Sequence, residues 1–126
     1  MKLHPDKSNV QTITAYGAGW IAVDGERIEA SVIIGSGGER IDWSCRRFSE
    51  LHAGHFAQLA ALDTELVIFG SGARIRFPDP AWLQPLMQRR LGIETMDSHA
   101  ACRTYNILSG EGRKVVVALL IEEAPG

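Results

Sequence analysis

The chain has 126 residues, 45% of them hydrophobic, two cysteines, and 13 basic against 15 acidic residues for a net charge of −2. That length buries roughly two thirds of the unfolded surface, so one globular domain over residues 1–126 is expected, with no need of a metal or disulfide to support its core. The near-balance of charge excludes a strong global field for nucleic acid or anionic lipid, and the longest plain apolar run, Val115–Ile121, is about a third of the roughly 20 residues a membrane-spanning helix requires.

Met1–Asp6 places Pro5 and Asp6 where a secretory signal needs an apolar stretch, and the expected compartment is the cytoplasm. Ile13 opens an alternating segment, Trp20, Ile21 and Val23 a second, and Ile28, Ala30, Val32 and Ile34 a third at period two. This rhythm predicts three strands in an antiparallel meander. Tyr16–Gly19 supplies the first turn and Asp24-Gly25 the second, a pair that accepts the positive φ of a tight hairpin. Gly35-Ser36-Gly37-Gly38 ends the third strand.

Beyond residue 48 the period becomes helical. Leu51, Phe56, Leu59 and Leu62 follow Ser49, and the spacing predicts a helix over 49–62 capped by the Ser49 hydroxyl. Glu65–Phe69 is a short apolar strand with both faces covered, ended by Gly70-Ser71-Gly72. A second helix follows Pro78, with Asp79 as N-cap and Pro80 at its first position; Pro85 makes its start irregular, regular helix runs only to Leu91, and Gly92 stops it. Ile93–Met96 is a brief strand, Asp97 caps a third helix to about Leu108, Gly110 and Gly112 break it, and Lys114–Ile121 forms a central buried strand. The expected fold class is α/β: a layered domain with a central mixed sheet, an amino-terminal antiparallel meander and about three helices.

Three pieces stand in order: Leu66-Val67-Ile68-Phe69-Gly70-Ser71-Gly72, then Gly92-Ile93-Glu94-Thr95-Met96-Asp97, then Ala101–Leu108 leading into Glu111-Gly112-Arg113. With Asp24-Gly25 and Trp43, they extend over almost the whole chain. The sequence resembles the small α/β family of unknown function that includes the adipogenesis-associated Mth-domain protein and a mitochondrial assembly factor for respiratory complex I. The resemblance implies a layered fold with a mixed sheet and, for the mitochondrial relative, the assembly of other proteins rather than a reaction. It supplies no catalytic residue. Ser98 stands where relatives commonly carry Thr, which keeps a hydroxyl in the first helical turn. No mitochondrial presequence is read at the start, so complex I partners are not expected to transfer.

Two segments invite a site. Gly70, Ser71 and Gly72 follow a buried strand, where a glycine pair brings backbone amides close to an anion and Arg74 or Arg76 supplies charge. The turn lacks the helix that opens after a dinucleotide or phosphate loop, and a simple tight turn explains it equally. On the third helix Ala101, Tyr105 and Leu108 form an apolar set and His99, Arg103 and Asn106 a polar one, read either as a solvated outer face or as a site. Arg103 is alternatively the centre of a structural network with Asp97 or Glu94. Arg46-Arg47, Arg89-Arg90 and Arg113-Lys114 are dibasic doublets that are either solvated charge or a docking patch.

The remaining candidates favour packing. His99 and Cys102 have the spacing of a histidine-activated thiolate, but an unpaired cysteine is among the most buried of side chains, and both Cys102 and Cys45 are expected to be inert. His52 and His55 supply only two ligands and are expected on a helix surface. Trp20, Trp43 and Trp82 are expected in the core.

The function these features predict is a non-catalytic protein-interaction or assembly-related domain. The alternative is a small-ligand or anion-binding domain, possible as an enzyme, with a pocket near the Gly70–Gly72 turn and the 97–106 helix. Candidate docking or ligand residues are Gly70, Ser71, Gly72, Arg74, Asp97, His99, Arg103, Asn106 and Arg113. No catalytic residue, metal or cofactor is expected. A protein partner is expected, nucleic acid and an integral membrane segment are not, and an edge of the amino-terminal meander is available for pairing into a homo-oligomer.

Overall fold

A computed structural model describes residues 10–122. Among these residues eight strands form two sheets. Ile13–Gly17 (β1), Trp20–Val23 (β2) and Glu26–Ile28 (β3) make a three-stranded antiparallel meander. Val32–Gly35 (β4), Arg40–Asp42 (β5), Leu66–Gly70 (β6), Gly92–Met96 (β7) and Val115–Leu119 (β8) make a mixed sheet in the order β5-β4-β8-β6-β7. β6 runs parallel to β7 and β8, while β4 is antiparallel to β8 and β5. Three α-helices, Ala53–Ala60 (α1), Gln84–Gln88 (α2) and Ser98–Gly110 (α3), complete the α/β class read from the sequence.

β8 is the central strand of the larger sheet and is buried along its length. Its alternation divides the core in two. Val116, Ala118 and Leu120 enter a cluster with Phe56 and Leu59 of α1, Leu86 of α2, Val67, Phe69 and Trp43. Val115, Val117, Leu119 and Ile121 enter the other, with Ala101, Cys102 and Tyr105 of α3 and Ile13, Ile21 and Val23 of the meander. The small sheet and α3 together cover one face, and α1 and α2 cover the other.

The third period-two segment is not one strand. β3 ends at Ile28 and β4 begins at Val32, in a different sheet. Ala30 is exposed, and Ser31 is buried with its Oγ accepting from the Ile121 N–H at 2.9 Å, so residues 29–31 carry the chain from the meander to the central sheet. A brief strand, β5, follows and had no signal in the sequence.

The predicted 49–62 helix is shorter. Ser49 lies in a 3-10 turn, Phe48–Glu50, and Leu51 is extended. Helix α1 starts only at Ala53 because the cap is built from histidines: His52 Nδ1 accepts from the Gly54 N–H at 3.0 Å, and His55 Nδ1 accepts from the His52 N–H at 3.1 Å. An unprotonated imidazole nitrogen does here what a serine hydroxyl does at an ordinary N-cap.

After Pro78, Asp79 caps a 3-10 turn over Pro80–Leu83, accepting from Ala81, and α2 ends at Gln88 rather than Leu91. The stop is Arg90, not Gly92. Arg90 has φ 56°, its N–H reaches the Met87 carbonyl, and the Leu91 N–H reaches the Leu86 carbonyl, closing a Schellman motif. Gly92 instead opens β7. Helix α3 closes in the same way with glycine in the left-handed position: Gly112, φ 84°, donates to Ser109 O, and Arg113 donates to Leu108 O.

Candidate functional site

The polar set on α3 faces the meander. Asn106 Oδ1 accepts from the Ile13 N–H at 2.9 Å while its Nδ2 donates to the Ile13 carbonyl at 2.8 Å. The amide thereby pairs both backbone groups of one residue on the free side of β1, as a neighbouring strand would. Arg103 Nη1 donates to the Tyr16 hydroxyl at 2.9 Å, and the His99 ring lies against that of Tyr16, centroids 4.5 Å apart, with Nε2 3.2 Å from the Gly17 carbonyl. Below them the buried Tyr105 hydroxyl donates to the Gln11 carbonyl at 2.8 Å. This face of α3 is neither solvated throughout nor gathered into one pocket, since Arg103 and Asn106 line no cleft with His99; it holds the small sheet in place.

The Gly70–Gly72 turn is fully engaged. The Ser71 N–H donates to the Met96 carbonyl and the Gly72 N–H to Ser98 Oγ, while the Ser98 N–H returns to the Gly72 carbonyl and Ser98 Oγ donates to Leu120 O. A Cβ at Gly70 would lie 2.8 Å from Leu119 Cδ2 and 3.1 Å from Ser98 Cα, so glycine here admits the first turn of α3 against the strand end. Of the two nearby arginines Arg76 is the one that turns in: it donates to the Ser71 carbonyl and to Glu122 Oε1 at 2.6 Å and lies over the Phe48 ring. Arg74 is exposed, its carbonyl accepting from Ser71 Oγ.

A cleft of about 650 Å³ opens beside this turn. It lies outside the carboxyl ends of β6 and β8, the favoured ligand position in an open α/β sheet. Gly17–Ile21 of the first hairpin form one wall, Arg46 and Arg47 another, and Gly72, Ser98, His99 and Leu120–Glu122 complete it. Gly72 and His99 are therefore brought together. Gly70, Ser71, Arg103, Asn106 and Arg74 do not line it, and Asp97 is the α3 N-cap, accepting from the Ala100 N–H at 2.9 Å. Arg113 lines a separate groove of about 450 Å³ with Glu94, Thr104 and Leu108. The sequence had marked Arg46-Arg47 as a doublet, but nothing in it showed that the doublet faces the Gly72 turn; Trp20 was read as a core residue rather than as part of a site, and Glu122 had no signal at all.

The thiols stand apart from this cleft. Cys45 and Cys102 are both buried and free. Burial pushes the Cys45 thiol up to about 11 and the Cys102 thiol up to about 12, away from thiolate chemistry. His55 is 4% exposed, not a helix-surface residue: its Nε2 donates to the Ser44 carbonyl and its ring meets Trp43 edge-on. Trp43 is buried as expected, whereas Trp20 and Trp82 are half-buried. Among the described residues no three His, Cys, Asp or Glu side chains cluster to hold a metal ion, and no helix is long and apolar enough to cross a membrane.

Two sheets joined by one helix whose polar face grips the smaller of them is the architecture of a Mth938-like domain. A Bordetella pertussis protein described by that name is 31% identical, with TM-score 0.79 over 98% of this chain and 95% of that one. A Bordetella parapertussis protein is 38% identical, with TM-score 0.84 over 90% and 97% of the two chains. The family model for proteins of unknown function, DUF498/DUF598, matches residues 13–120, and the chain belongs to that family. It is similar also to NADH dehydrogenase (ubiquinone) 1 alpha subcomplex assembly factor 3. The Bos taurus protein is 29% identical over 82 residues, 64% of this chain and 45% of that one, and the Xenopus tropicalis protein is 22% identical over 121 residues, 94% and 66%. The chain thus spans less than half the length of the bovine relative.

Proposed function

We propose that this chain is a non-catalytic protein-interaction domain with an assembly-related role, acting in the cytoplasm. The observation that carries the proposal is the use made of its reactive side chains. Asn106, Arg103 and His99 are engaged with β1, Ser71 and Ser98 tie the strand ends together, and both thiols are buried. The similarity to proteins named as assembly factors supports the same direction. The face proposed to meet a partner is the cleft wall of Arg46, Arg47, Trp20, Gly72 and His99, where charge and apolar surface lie side by side.

The test is cross-linking of the full chain in its own cells followed by mass spectrometry, beside an Arg46→Glu/Arg47→Glu variant of equal stability. The proposal expects a reproducible partner in a multi-subunit assembly, linked through the cleft and lost in the variant. An unchanged partner set in the variant removes the cleft from the interaction. The absence of any specific partner, together with turnover of a small molecule, removes the proposal.

A second function is favoured by the same cleft, whose volume lies within the range of small-molecule sites: binding of a small organic anion by Arg46 and Arg47. Titration with inorganic phosphate and with short carboxylates, followed by amide shifts of Gly72 and His99, separates the two. Saturable shifts confined to the cleft support ligand binding.

A further inference from the structure

The outer edge of β7 is available for pairing. Among the described residues β7 closes one side of the central sheet and pairs only with β6, in the register Gly92↔Leu66 to Met96↔Gly70. The Met96 carbonyl accepts from the Ser71 N–H, which directs the backbone groups of Gly92, Glu94 and Met96 toward β6. Those of Ile93 and Thr95 consequently point away from the sheet. Such a row is a template for another strand unless something blunts it.

What lies beside that edge is self-complementary. The groove on the α3 side is lined by Leu66, Ile68, Met96 and Leu108, with one acid, Glu94, and one base, Arg113. Neither Glu94 nor Arg113 forms an ion pair among the described residues. Ile107, on the neighbouring exposed part of α3, is 61% exposed. Arg113 precedes β8, and Val115 and Gly92 both pair with Leu66, so Arg113 lies toward the Gly92 end of the edge.

We infer that the occupant of this edge is a second copy of the chain, paired antiparallel through β7 about a twofold axis at Ile93. That register sets Ile93 opposite its own copy, exchanging the two outward-pointing backbone bonds, and sets Glu94 of each protomer opposite Gly92 of the other. Gly92 has no side chain, so the carboxylate of each protomer reaches across it to Arg113 of the other, twice per dimer. A register centred on Glu94 would instead oppose two carboxylates, which is unfavourable. The interface is isologous, and the two five-stranded sheets become one continuous sheet. It differs from pairing through the amino-terminal meander and does not depend on the cleft or on the function proposed for it.

Sedimentation equilibrium of the full chain over a wide concentration range tests the inference. The expected species has twice the 13.8 kDa chain mass. Glu94→Arg and Arg113→Glu, both at exposed positions, each weaken self-association by about tenfold or more, and the double variant recovers it. Ile93→Cys cross-links to its own copy under mild oxidation, since directly opposed, hydrogen-bonded strand residues lie about 5.5 Å apart between Cα atoms. A wild-type chain that stays monomeric throughout overturns the inference. So does a dimer that neither charge reversal weakens, or one in which Ile93→Cys does not cross-link.

Discussion

Asn106 holds Ile13 by both of its backbone groups, accepting from the N–H at 2.9 Å and donating to the carbonyl at 2.8 Å across 93 residues of sequence. A single side-chain amide so stands where β1 has no strand neighbour among the described residues. Replacing Asn106 by Ala leaves both groups without a partner in a half-buried setting. The expected loss is about 2–4 kcal/mol, measured by urea unfolding, with the larger part arising from the orphaned backbone. Asn106→Asp retains the acceptor and forfeits the donor, so at neutral pH it falls between Ala and wild type.

Ser98 joins three segments through one hydroxyl, accepting from the Gly72 N–H and donating to the Leu120 carbonyl. Ser98→Ala is expected to cost about 1–3 kcal/mol, because the buried groups it served remain. Ser98→Thr keeps the hydroxyl and is expected to cost much less. The contrast is read by thermal unfolding of both variants under one condition.

Gly70 is set by space rather than by φ. A methyl there meets Leu119, Ala101 Cβ and the Ser98 backbone, all within 3.1 Å. Because one of these is main chain, Gly70→Ala must shift α3 from the sheet. It is expected to destabilise by about 1–3 kcal/mol, with amide shift changes concentrated on residues 98–101.

Both thiols ionise less readily folded than unfolded, from an ordinary value of 9.0 up to about 11 for Cys45 and about 12 for Cys102, with burial as the leading cause. The unfolded chain therefore releases these protons first. Their contribution to stability is intact below pH 9 and declines as pH rises from there toward 11 and 12, by on the order of a few kcal/mol in all. Chemical denaturation between pH 8 and 10.5 checks the direction: a Cys45→Ala/Cys102→Ala chain should lose less stability across that range than wild type. Thiol-specific reagents at pH 8 should react at the rate of global or local opening, not at that of a free thiol.

The central strand, the placement of α3 and its Asp97 cap were legible because Val115–Ile121 is apolar without interruption and Asp97 precedes a helical period. The hinge at 29–31 was not. Ile28, Ala30, Val32 and Ile34 keep period two across it, and alternation does not record that a strand has changed sheets. The histidine cap of α1 was hidden for a different reason: Ser49 is the stronger cap by residue type, and the competition is decided by His55 fitting beneath Trp43. At the candidate site the sequence singled out His99, Arg103 and Asn106 as one polar face, which they are. Their purpose depends on β1, about 90 residues away in sequence, and no local pattern carries that distance. The cleft is assembled from five separate segments, so Arg46 and Arg47 acquire meaning only when the hairpin and the Gly72 turn stand beside them.

The claim on which the account rests is that the polar face of α3 is committed to holding the small sheet. Amide hydrogen exchange at Ile13, in wild type and in Asn106→Ala, tests it most directly. The predicted result is strong protection of the Ile13 amide in wild type, lost in the variant while β8 stays protected. Rapid exchange at Ile13 in the wild-type chain would contradict it, leaving Asn106 and its neighbours unengaged and open to another role.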